Sequence, residues 1–303
     1  MNTTLFFNRF FPVTIRVFLI SLLLAPAISC EKKLDEDLIP SFIASDQVIF
    51  TTDPYTQGSA SHKITDIWLY VDDQITGAYE LPCRIPVLKS GIHNIRIAAG
   101  IKLNGIANSR IAYPLYEPYI LKNVNLVKDS ILNIVPKFVY RTTTHFAWVE
   151  DFDDINFSMD STRKSNVDIE LTPFDSPLAF EGAHSGQIML YDDSTFFEIA
   201  SNNAYELPQS NTPVMLEFNY RNNNVFLVGV FVQGISTIIQ KPVLYINPSD
   251  TWNKIYINLT QVVTESSNPI DFKIFFGGMK SQEVDTGFVF LDNIKLIYQD
   301  IGK

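Results

Sequence analysis

A run of acidic residues near the middle of the chain is the first feature with clear chemical potential. Residues 150–154 read Glu-Asp-Phe-Asp-Asp, and clustered carboxylates can hold a hard cation or serve glycoside hydrolysis. The spacing does not complete an EF-hand loop, because Asn156 stands where glycine is needed and Thr162 where the bidentate glutamate is needed. Hydrolysis needs a second carboxylate across a cleft, and the sequence shows no evident partner for this run. The run alone therefore assigns no reaction.

The sequence also shows no recognisable motif for a catalytic nucleophile or for a metal-binding pair of residues. There is no Gly-x-Ser-x-Gly elbow, and Ser185 is only a sequence neighbour of a histidine, which says nothing about triad geometry. No Cys-x-x-Cys pair occurs, and the four histidines are too isolated to form a His-x-x-x-His zinc motif: His62, His93, His145 and His184. We therefore expect a protein that is not an enzyme.

The N-terminus reads as a secretory signal. Arg9 and Arg16 precede an apolar stretch over residues 17–25, which is shorter than the roughly 20 residues that span a bilayer. The segment Ala27-Ile28-Ser29-Cys30 resembles the lipobox of bacterial lipoproteins, in which the cysteine is lipidated, for example with palmitate, and becomes the mature N-terminus. The resemblance implies cleavage after residue 29. An ordinary secreted protein with an unmodified Cys30 stays an open alternative.

The net charge limits the classes of molecule that the mature protein is expected to bind. Loss of residues 1–29 removes two positive and no negative charges, so the formal charge moves from −10 to −12. Nucleic acids and anionic lipid headgroups are bound by Lys and Arg clusters, which this chain lacks. The expected membrane contact is therefore the N-terminal lipid alone.

Cys83 is the one cysteine left after lipidation, which excludes an intramolecular disulfide and favours a buried structural thiol.

Residues 30–43 are predicted to form a charged tether. Six charged residues closely follow the cysteine: Glu31, Lys32, Lys33, Asp35, Glu36 and Asp37. Such a segment does not fold by itself. The stretch resembles the acidic export signal of surface-exposed lipoproteins of Bacteroidota. This resemblance implies an outer-membrane lipoprotein that faces the cell exterior. A plain solvated linker remains the alternative.

From residue 48 onward the pattern predicts an all-β protein. Short β-branched and aromatic runs are separated by Gly, Pro, Asn and Asp, without long helical periodicity. Within residues 93–99, Ile95 and Ile97 alternate with Asn94 and Arg96, which indicates a half-buried strand. We predict two domains, over residues 44–144 and 145–300. The first resembles an immunoglobulin-like sandwich, and the second resembles a jelly-roll sandwich.

A loop rich in tyrosine and proline interrupts the first domain. Tyr113, Tyr116 and Tyr119 alternate with Pro114 and Pro118, and the prolines exclude a central strand. Tyrosine combines a large apolar area with a hydrogen-bonding tip, so the loop is a candidate surface for a protein partner. Packing of the loop onto its own domain is the alternative.

Three segments of the second domain resemble jelly-roll carbohydrate-binding modules. They are residues 150–153 (Glu-Asp-Phe-Asp), 184–190 (His-Ser-Gly-Gln-Ile-Met-Leu) and 290–296 (Phe-Leu-Asp-Asn-Ile-Lys-Leu). The resemblance implies a structural calcium ion as cofactor, since converging carboxylates and carbonyls suit a hard cation. The implied ligands are Asp151 or Asp153 together with Asp292, and the carbonyl of Gly182 or Ser185. The alternative is that these acids cap turns or face water.

Strand alternation also suggests a face that can bind a ligand. Residues on two neighbouring candidate strands fall on one side, opposite apolar positions: Trp252, Lys254, Tyr256, Glu217, Asn219 and Arg221. If this face is exposed, an aromatic ring can stack on a sugar and the polar groups can bind its hydroxyls. Packing of Trp252 in the core is the alternative.

Two functions fit these features. The first hypothesis is a non-catalytic accessory subunit of an outer-membrane protein assembly, held at the membrane by its lipid, with outer-membrane proteins as partners. The alternative is a glycan-capture lipoprotein that serves a separate hydrolase or transporter. The sequence does not identify the protein or glycan partner.

Overall fold

The computed structural model describes residues 39–300, and the predicted signal peptide, Cys30 and most of the predicted tether lie outside the described residues. In the described part, strands dominate and one helix of five residues occurs, α1 (Thr260–Thr264). The all-β prediction is confirmed. Across residues 39–300, no helix has the length and apolar character that a membrane crossing requires.

The first β region contains ten strands. Their bounds are β1 Ser41–Ser45, β2 Ile49–Phe50, β3 Asp66–Val71, β4 Gln74–Glu80, β5 Cys83–Val87, β6 Gly91–Lys102, β7 Arg110–Ala112, β8 Tyr119–Leu126, β9 Ile131–Asn133 and β10 Lys137–Phe138. One sheet has the order β4-β3-β6-β7, with β8 also pairing β6. Facing it are a three-stranded sheet, β5-β1-β9, and the pair β10-β2, whose apolar residues share its core. The predicted alternation is confirmed, because Ile95 and Ile97 are buried while Asn94 is exposed.

The second β region contains eleven strands and α1. Their bounds are β11 Thr144–Glu150, β12 Met159–Ser161, β13 Glu170–Leu171, β14 Gly186–Leu190, β15 Phe196–Ser201, β16 Val214–Asn222, β17 Phe226–Gln233, β18 Ile238–Ile246, β19 Ser249–Asn258, β20 Asp271–Met279 and β21 Gly287–Gln299. A six-stranded sheet has the order β13-β14-β21-β16-β19, with β11 also pairing β21. A five-stranded sheet has the order β12-β15-β20-β17-β18. Antiparallel pairing runs through both sheets, and their inner faces enclose one large core.

The outer face of the six-stranded sheet is covered by the first β region. Met215, Tyr256 and Ile297 come from β16, β19 and β21, yet they belong to the core of the first region. Their neighbours along the chain, such as Leu216 and Ile257, point into the core of the second region. Since side chains alternate across a strand, this sheet packs on both faces. Residues 40–300 accordingly cluster as one compact unit.

A bulge in β21 places two charged side chains on that same outer face. Asp292 and Lys295 are three residues apart, so a regular strand would send them to opposite sides. The register against β16 shifts between Glu217 and Asn219, and Asn293 has a φ of 49°, in the left-handed region that asparagine tolerates. Asp292 pairs with Asn219 and Lys295 with Glu217, and both charged residues have no exposed surface.

Several details differ from the sequence predictions. Strand β1 begins inside the segment predicted as tether, because Ile43 has no exposed surface and packs in the first core. Residues 131–138 form two short strands, β9 and β10, and Ile134 turns inward between them, before Pro136. The short helix α1 is an exception to the all-β prediction. These differences arise where tertiary packing, and not local pattern, decides the backbone.

Candidate functional site

The outer face of the five-stranded sheet carries an open cleft. The cleft encloses about 600 Å³ and is open to solvent. Strands β12, β15, β17, β18 and β20 all contribute to it, together with the loop that follows β12. Its lining includes Phe231, Glu198, Gln240, Lys164, Lys273 and Asp160.

Gly229 makes room for an aromatic ring on the outward side of the five-stranded sheet. In β17, Val228, Val230 and Val232 point into the core, so Gly229 and Phe231 point outward. Gly229 and its neighbour Phe275 on β20 are paired in register, and a Cβ atom on Gly229 would lie 2.4 Å from the Phe275 ring. Glycine at this position therefore leaves space for the Phe275 ring.

The Phe231 ring forms the apolar floor of the cleft and packs against the ring of Phe275. The Phe231 and Phe275 ring centroids are 4.6 Å apart at an interplanar angle of 31°. Phe275 is buried, whereas Phe231 is partly exposed and lines the cleft. The floor therefore offers one accessible aromatic ring, that of Phe231, which packs against a buried ring.

A fixed polar network forms one wall of the cleft. Glu198 is only 3% exposed, and its carboxylate accepts hydrogen bonds from Thr162 Oγ1 at 2.7 Å and from Gln240 Nε2 at 2.8 Å. Lys164 Nζ donates to Gln240 Oε1 at 3.3 Å and lies 3.8 Å from Glu198 Oε2. Because these side chains hold one another, their polar atoms are presented to the cleft in a fixed arrangement.

The other end of the cleft carries less constrained charges. Lys273 Nζ donates to the backbone carbonyl of Asn202 at 2.7 Å. Asp160 and Arg163 are exposed at the rim. The cleft therefore combines an apolar floor with amide, carboxylate, ammonium and guanidinium groups around it. Such a surface suits a ligand with one apolar face and many hydroxyl groups.

The face predicted from strand alternation to bind a ligand is largely enclosed, which corrects that interpretation. Its residues do share one face, since Glu217 pairs with Tyr256 and Asn219 with Lys254. That face is the one packed against the first β region. Glu217 has no exposed surface, and Asn219, Lys254 and Tyr256 are at most 5% exposed. A periodicity argument identifies a shared face, but it cannot say whether another part of the chain covers it.

Two residues of that predicted face are less completely covered. Trp252 and Arg221 are partly buried, and the Trp252 ring lies between Phe180 and Phe290, with centroids 5.4 and 6.3 Å away. The Arg221 guanidinium lies over Phe288 at 5.8 Å. Trp252 also lines an opening between the two β regions.

The tyrosine loop predicted as a partner surface is also buried, which corrects that interpretation. Tyr113 and Tyr116 are each 2% exposed, and Tyr119 is partly buried against the first core. The Tyr113 ring lies 5.1 Å from that of Tyr256. Burial, with the nearby charge of Glu217, raises the pKa of Tyr113 well above its usual value. The loop therefore packs within the chain, and part of it contacts the second β region.

Most of the predicted calcium ligands do converge. The Asp153 carboxylate lies against Gly182, which has a φ of +67°, and accepts a hydrogen bond from the backbone N–H of Ala183 at 2.6 Å. Ser185 Oγ donates to Asp292 Oδ2, and the backbone N–H of Asn293 donates to Asp292 Oδ1 at 2.7 Å. Burial, with the charges of Glu181 and Asp153 nearby, raises the pKa of Asp292 to about 8.

The same carboxylates do not form a ready metal cage. Asp151 is exposed, and its Oδ1 accepts the backbone N–H of Asp153 at 3.2 Å, as expected of an acid that caps a turn. Protein donors already occupy both oxygens of Asp292. Over residues 39–300, no group of three or more His, Cys, Asp or Glu residues has an arrangement able to hold a metal ion. A calcium site stays a prediction, and the side chains would have to rotate to form it.

Cys83 lies at the start of β5 and is partly buried beside the first core. Burial raises the pKa of its thiol, with the charge of Asp46 adding to the effect. A raised thiol pKa reduces the thiolate fraction, which is the reactive form. The setting is that of a structural thiol.

Sequence reasoning missed the cleft for an identifiable reason. Phe231 and Gln233 occupy alternate positions of β17, and this alternation was the available signal. Gln240, however, lies on a different strand, β18. The order of the strands within the sheet decides which outward-facing residues become neighbours, and the local sequence pattern does not determine that order.

Comparison with known proteins yields structural likenesses only. No protein-family model matches the sequence, and no curated protein matches it either. The xylan-binding domain CBM22-1 of Xyn10C from Paenibacillus barcinonensis aligns at 10% identity with a TM-score of 0.40, over 54% of this chain and 99% of that one. A family 11 carbohydrate-binding module from Clostridium thermocellum aligns at 14% identity with a TM-score of 0.33, over 48% and 92%. A family 29 carbohydrate-binding module aligns at 13% identity with a TM-score of 0.32, over 52% and 93%. At these scores the likeness is confined to the general arrangement of strands.

Proposed function

We propose that this protein binds a glycan without chemically altering it, and that the cleft on the five-stranded sheet holds a segment of a polysaccharide. The observation that carries the proposal is the position of Phe231. Its partly exposed ring lines the floor of an open cleft of about 600 Å³, and amide and charged side chains surround it. Nothing in the proposal depends on a metal ion.

The chemistry of a sugar ring matches this arrangement. A pyranose presents an apolar face of C–H groups and a rim of hydroxyl groups, so it needs a flat apolar contact and many hydrogen-bonding atoms beside it. Phe231 supplies the first. Gln240 and Lys273 supply donors on opposite sides of the floor, and Asp160 supplies an acceptor at the rim.

The rigidity of the wall supports recognition. Glu198 and Gln240 are already hydrogen-bonded to each other, and Thr162 holds the other Glu198 oxygen. Binding therefore costs little side-chain entropy, because these groups are ordered before the ligand arrives. The volume falls within the range of about 300–1,000 Å³ that small-molecule sites occupy. An open cleft of this size suits a few sugar units of a longer chain.

The N-terminal sequence extends the proposal to a location. Lipidation at Cys30, which lies outside the described residues, would hold the cleft at the outer surface of an outer membrane. A tethered binding site raises the local concentration of its ligand for neighbouring proteins. The protein would then capture a glycan for a separate hydrolase or transporter.

The hypothesis that the protein is an accessory subunit of an outer-membrane protein assembly receives less support from the described residues. Its residue-level basis was the tyrosine loop, and Tyr113 and Tyr116 are enclosed within the chain. A role in an outer-membrane protein assembly remains a prediction from the lipoprotein signal alone.

Affinity electrophoresis tests the proposed function. The purified chain from residue 40 onward is run through gels that contain one soluble polysaccharide each, from a panel of neutral and acidic plant and microbial glycans. Retardation on at least one of these gels is expected. Phe231→Ala and Gln240→Ala should each weaken retention about tenfold, equivalent to about 1.4 kcal/mol. Tyr55→Ala removes an aromatic ring that is 96% exposed, lies in the segment between β2 and β3 and does not line the cleft, so it serves as the matched control.

Two results would overturn the proposal. One is the absence of retardation on every gel. The other is equal retention of Phe231→Ala, Gln240→Ala and the parent protein, which would show that binding occurs outside the cleft.

A further inference from the structure

Four exposed aliphatic side chains gather at one end of the first β region, and we call this group the apolar end patch. Its members are Leu88, Ile92, Val127 and Ile131, and each is between 45% and 64% exposed. They lie between β5 and β6, at the start of β6, after β8 and at the start of β9. Since each comes from a different segment, the group becomes visible only when the strands are placed side by side.

The pairing of β1 with β5 defines this end of the molecule. Ser41, the first residue of β1, pairs with Val87, the last residue of β5. The Ser41 Oγ atom lies 3.2 Å from the carbonyl oxygens of both Val87 and Lys89. Leu88 therefore lies beside the point where the chain enters β1.

Strand β9 begins at the same end. Ile131 pairs with Phe42 in the parallel ladder between β9 and β1. The backbone N–H of Asp129 donates to the carbonyl of Pro40 at 2.9 Å. The segment that leads into β9 is therefore also bound to the start of β1.

Strands β6 and β8 bring in the remaining two members. Gly91 of β6 pairs with Leu126 of β8, so Ile92 and Val127 are the chain neighbours of a paired couple. Ser130 Oγ donates to the carbonyl of Val127 at 2.8 Å, which connects this corner to the start of β9. The four exposed side chains thus surround the entry of β1, and an exposed apolar group of this kind marks an interaction surface.

The charged residues beside the patch occur with opposite signs next to each other. They are Lys89 with Asp72 at 3.0 Å, Arg96 with Asp73 at 3.5 Å, and Lys128 beside Asp129 in the chain. This end is therefore electrically balanced, although the mature chain is acidic overall. An electrically balanced apolar surface can approach a lipid bilayer without strong repulsion or attraction by charge.

The position of the patch along the chain indicates what covers it. Residues 31–39 lie between Cys30 and Pro40. Even when fully extended, the ten residue-to-residue steps from Cys30 to Pro40 reach only about 35 Å. A lipid on Cys30 would hold the entry of β1, and with it the patch, within that distance of the bilayer. The tether also raises the effective concentration of the bilayer at the patch, so that a weak contact is occupied.

We propose that the apolar end patch lies on the surface of the lipid bilayer and fixes the orientation of the tethered protein. Its aliphatic side chains enter the boundary between headgroups and acyl chains. Four partly exposed side chains are too few to hold a protein at a membrane, so attachment itself still depends on Cys30. The proposal rests on the attachment through Cys30 proposed above, and it is independent of glycan binding in the cleft.

Protein that is chemically attached to vesicles tests the proposal. The chain from Cys30 onward, with Cys83→Ala so that Cys30 is the single thiol, is coupled to phosphatidylcholine vesicles that contain a maleimide lipid. Leu88→Trp places a fluorophore in the patch, and brominated phosphatidylcholine quenches an indole that enters the bilayer surface. Ile235→Trp is the matched control, because Ile235 is 94% exposed and lies between β17 and β18.

The fluorescence added by Leu88→Trp should fall about twofold in brominated vesicles, since interfacial side chains lie about 5–10 Å into the headgroup boundary. The fluorescence added by Ile235→Trp should not change. Because the coupling is chemical, the result does not depend on lipidation of Cys30 in cells. A failure here is therefore distinct from a failure of the lipidation proposal, which palmitate labelling tests.

Charged substitutions provide a second measurement. Ile92→Asp and Val127→Asp, introduced together into the Leu88→Trp chain, should remove the quenching, because an unpaired carboxylate is costly to transfer out of water. Ile155→Asp changes a side chain that is 84% exposed and outside the patch, and it should leave the quenching unaltered. Circular dichroism establishes that each variant is folded.

Acrylamide quenching without vesicles tests for other occupants of the patch. The indole of Leu88→Trp should then be as accessible to acrylamide as that of Ile235→Trp. Protection of the Leu88→Trp indole would show that the tether or a second copy of the chain covers the patch, and the proposal would be overturned. It is also overturned if brominated lipid quenches the two variants equally, or if quenching survives the two aspartates.

Discussion

The hydroxyl group of Tyr113 donates a 2.6 Å hydrogen bond to Oε1 of Glu217, and this bond joins the two β regions. Tyr140 donates to the other oxygen at 3.0 Å, so both oxygens of a carboxylate with no exposed surface are satisfied. The Lys254 ammonium, 3.5 Å from Oε2, supplies the opposite charge. Glu217 therefore links a loop of the first region to two strands of the second.

Replacing Glu217 should destabilise the whole chain. Glu217→Ala leaves two tyrosine hydroxyl groups unpaired and the buried Lys254 without its counter-charge. Breaking a buried pair on one side costs about 3–5 kcal/mol, and we expect the free energy of unfolding in urea to fall by that amount. Tyr113→Phe removes one hydrogen bond and should cost about 1 kcal/mol. Glu170→Ala, at an exposed glutamate on β13, is the control. A loss of less than 1 kcal/mol for Glu217→Ala would contradict this account.

The floor of the cleft depends on Gly229. A Cβ atom there would lie 2.4 Å from the Phe275 ring and 2.6 Å from the backbone carbonyl of Lys241. Gly229→Ala should therefore displace Phe275 and the Phe231 ring above it. We expect a loss of about 1–3 kcal/mol in unfolding free energy, with about tenfold weaker polysaccharide retention.

Gly277 offers a matched comparison for stability, because it lies on the same sheet and its Cβ atom would meet nothing closer than 3.4 Å. Gly277→Ala should leave the unfolding free energy within about 1 kcal/mol of the parent value. Equal effects of the two substitutions would show that the contact with Phe275 is not the cause.

Stability should depend on pH through Asp292. Its pKa is raised to about 8 in the folded protein, chiefly by burial, from an ordinary value near 4. The folded state therefore holds a proton that the unfolded state has released. Its stabilising effect is complete below about pH 4 and is lost as pH rises from about 4 to 8. Asp292→Asn, which stays neutral, should show a smaller decline in melting temperature over this range. If the melting temperatures of the variant and the parent change with pH in the same way, the pH dependence does not arise from Asp292.

Calcium removal tests the metal site predicted from the sequence. If Asp153 and Asp292 turn toward a shared cation, binding to the folded state stabilises it by about 2.7 kcal/mol when calcium is a hundredfold above its Kd. Excess chelator should then lower the melting temperature of the parent protein and leave Asp292→Ala unaffected. Identical melting of the parent in millimolar calcium and in chelator would mean that no such site exists.

Membrane attachment should depend on Cys30 alone. Cys30→Ser removes the only predicted source of membrane affinity, because the acidic mature chain carries no basic cluster to bind lipid headgroups. In cells grown with labelled palmitate, the parent should incorporate label and fractionate with the outer membrane. The variant should incorporate none and stay unprocessed or soluble. Equal labelling of both would show that the lipidated residue lies elsewhere.

The sequence alone was sufficient to predict the fold class and many strands. Ile95 and Ile97 in β6, and Ile255 and Ile257 in β19, are buried as their alternation predicts. Alternation also placed Glu217 and Tyr256 on one face, and the register confirms this. These features are local, because a strand alternates its side chains whatever lies around it.

Only the tertiary structure decided which faces remain exposed. Glu217, Tyr113 and Tyr256 resemble the residues of an open binding face in sequence, but the two β regions close over them. Phe231 and Gln240 come from two different strands, and the pairing of β17 with β18 brings them together in the cleft. Exposure depends on contacts between residues that are far apart in the chain. Tyr113 and Glu217 are separated by 104 positions, and no local pattern in the sequence records that they meet.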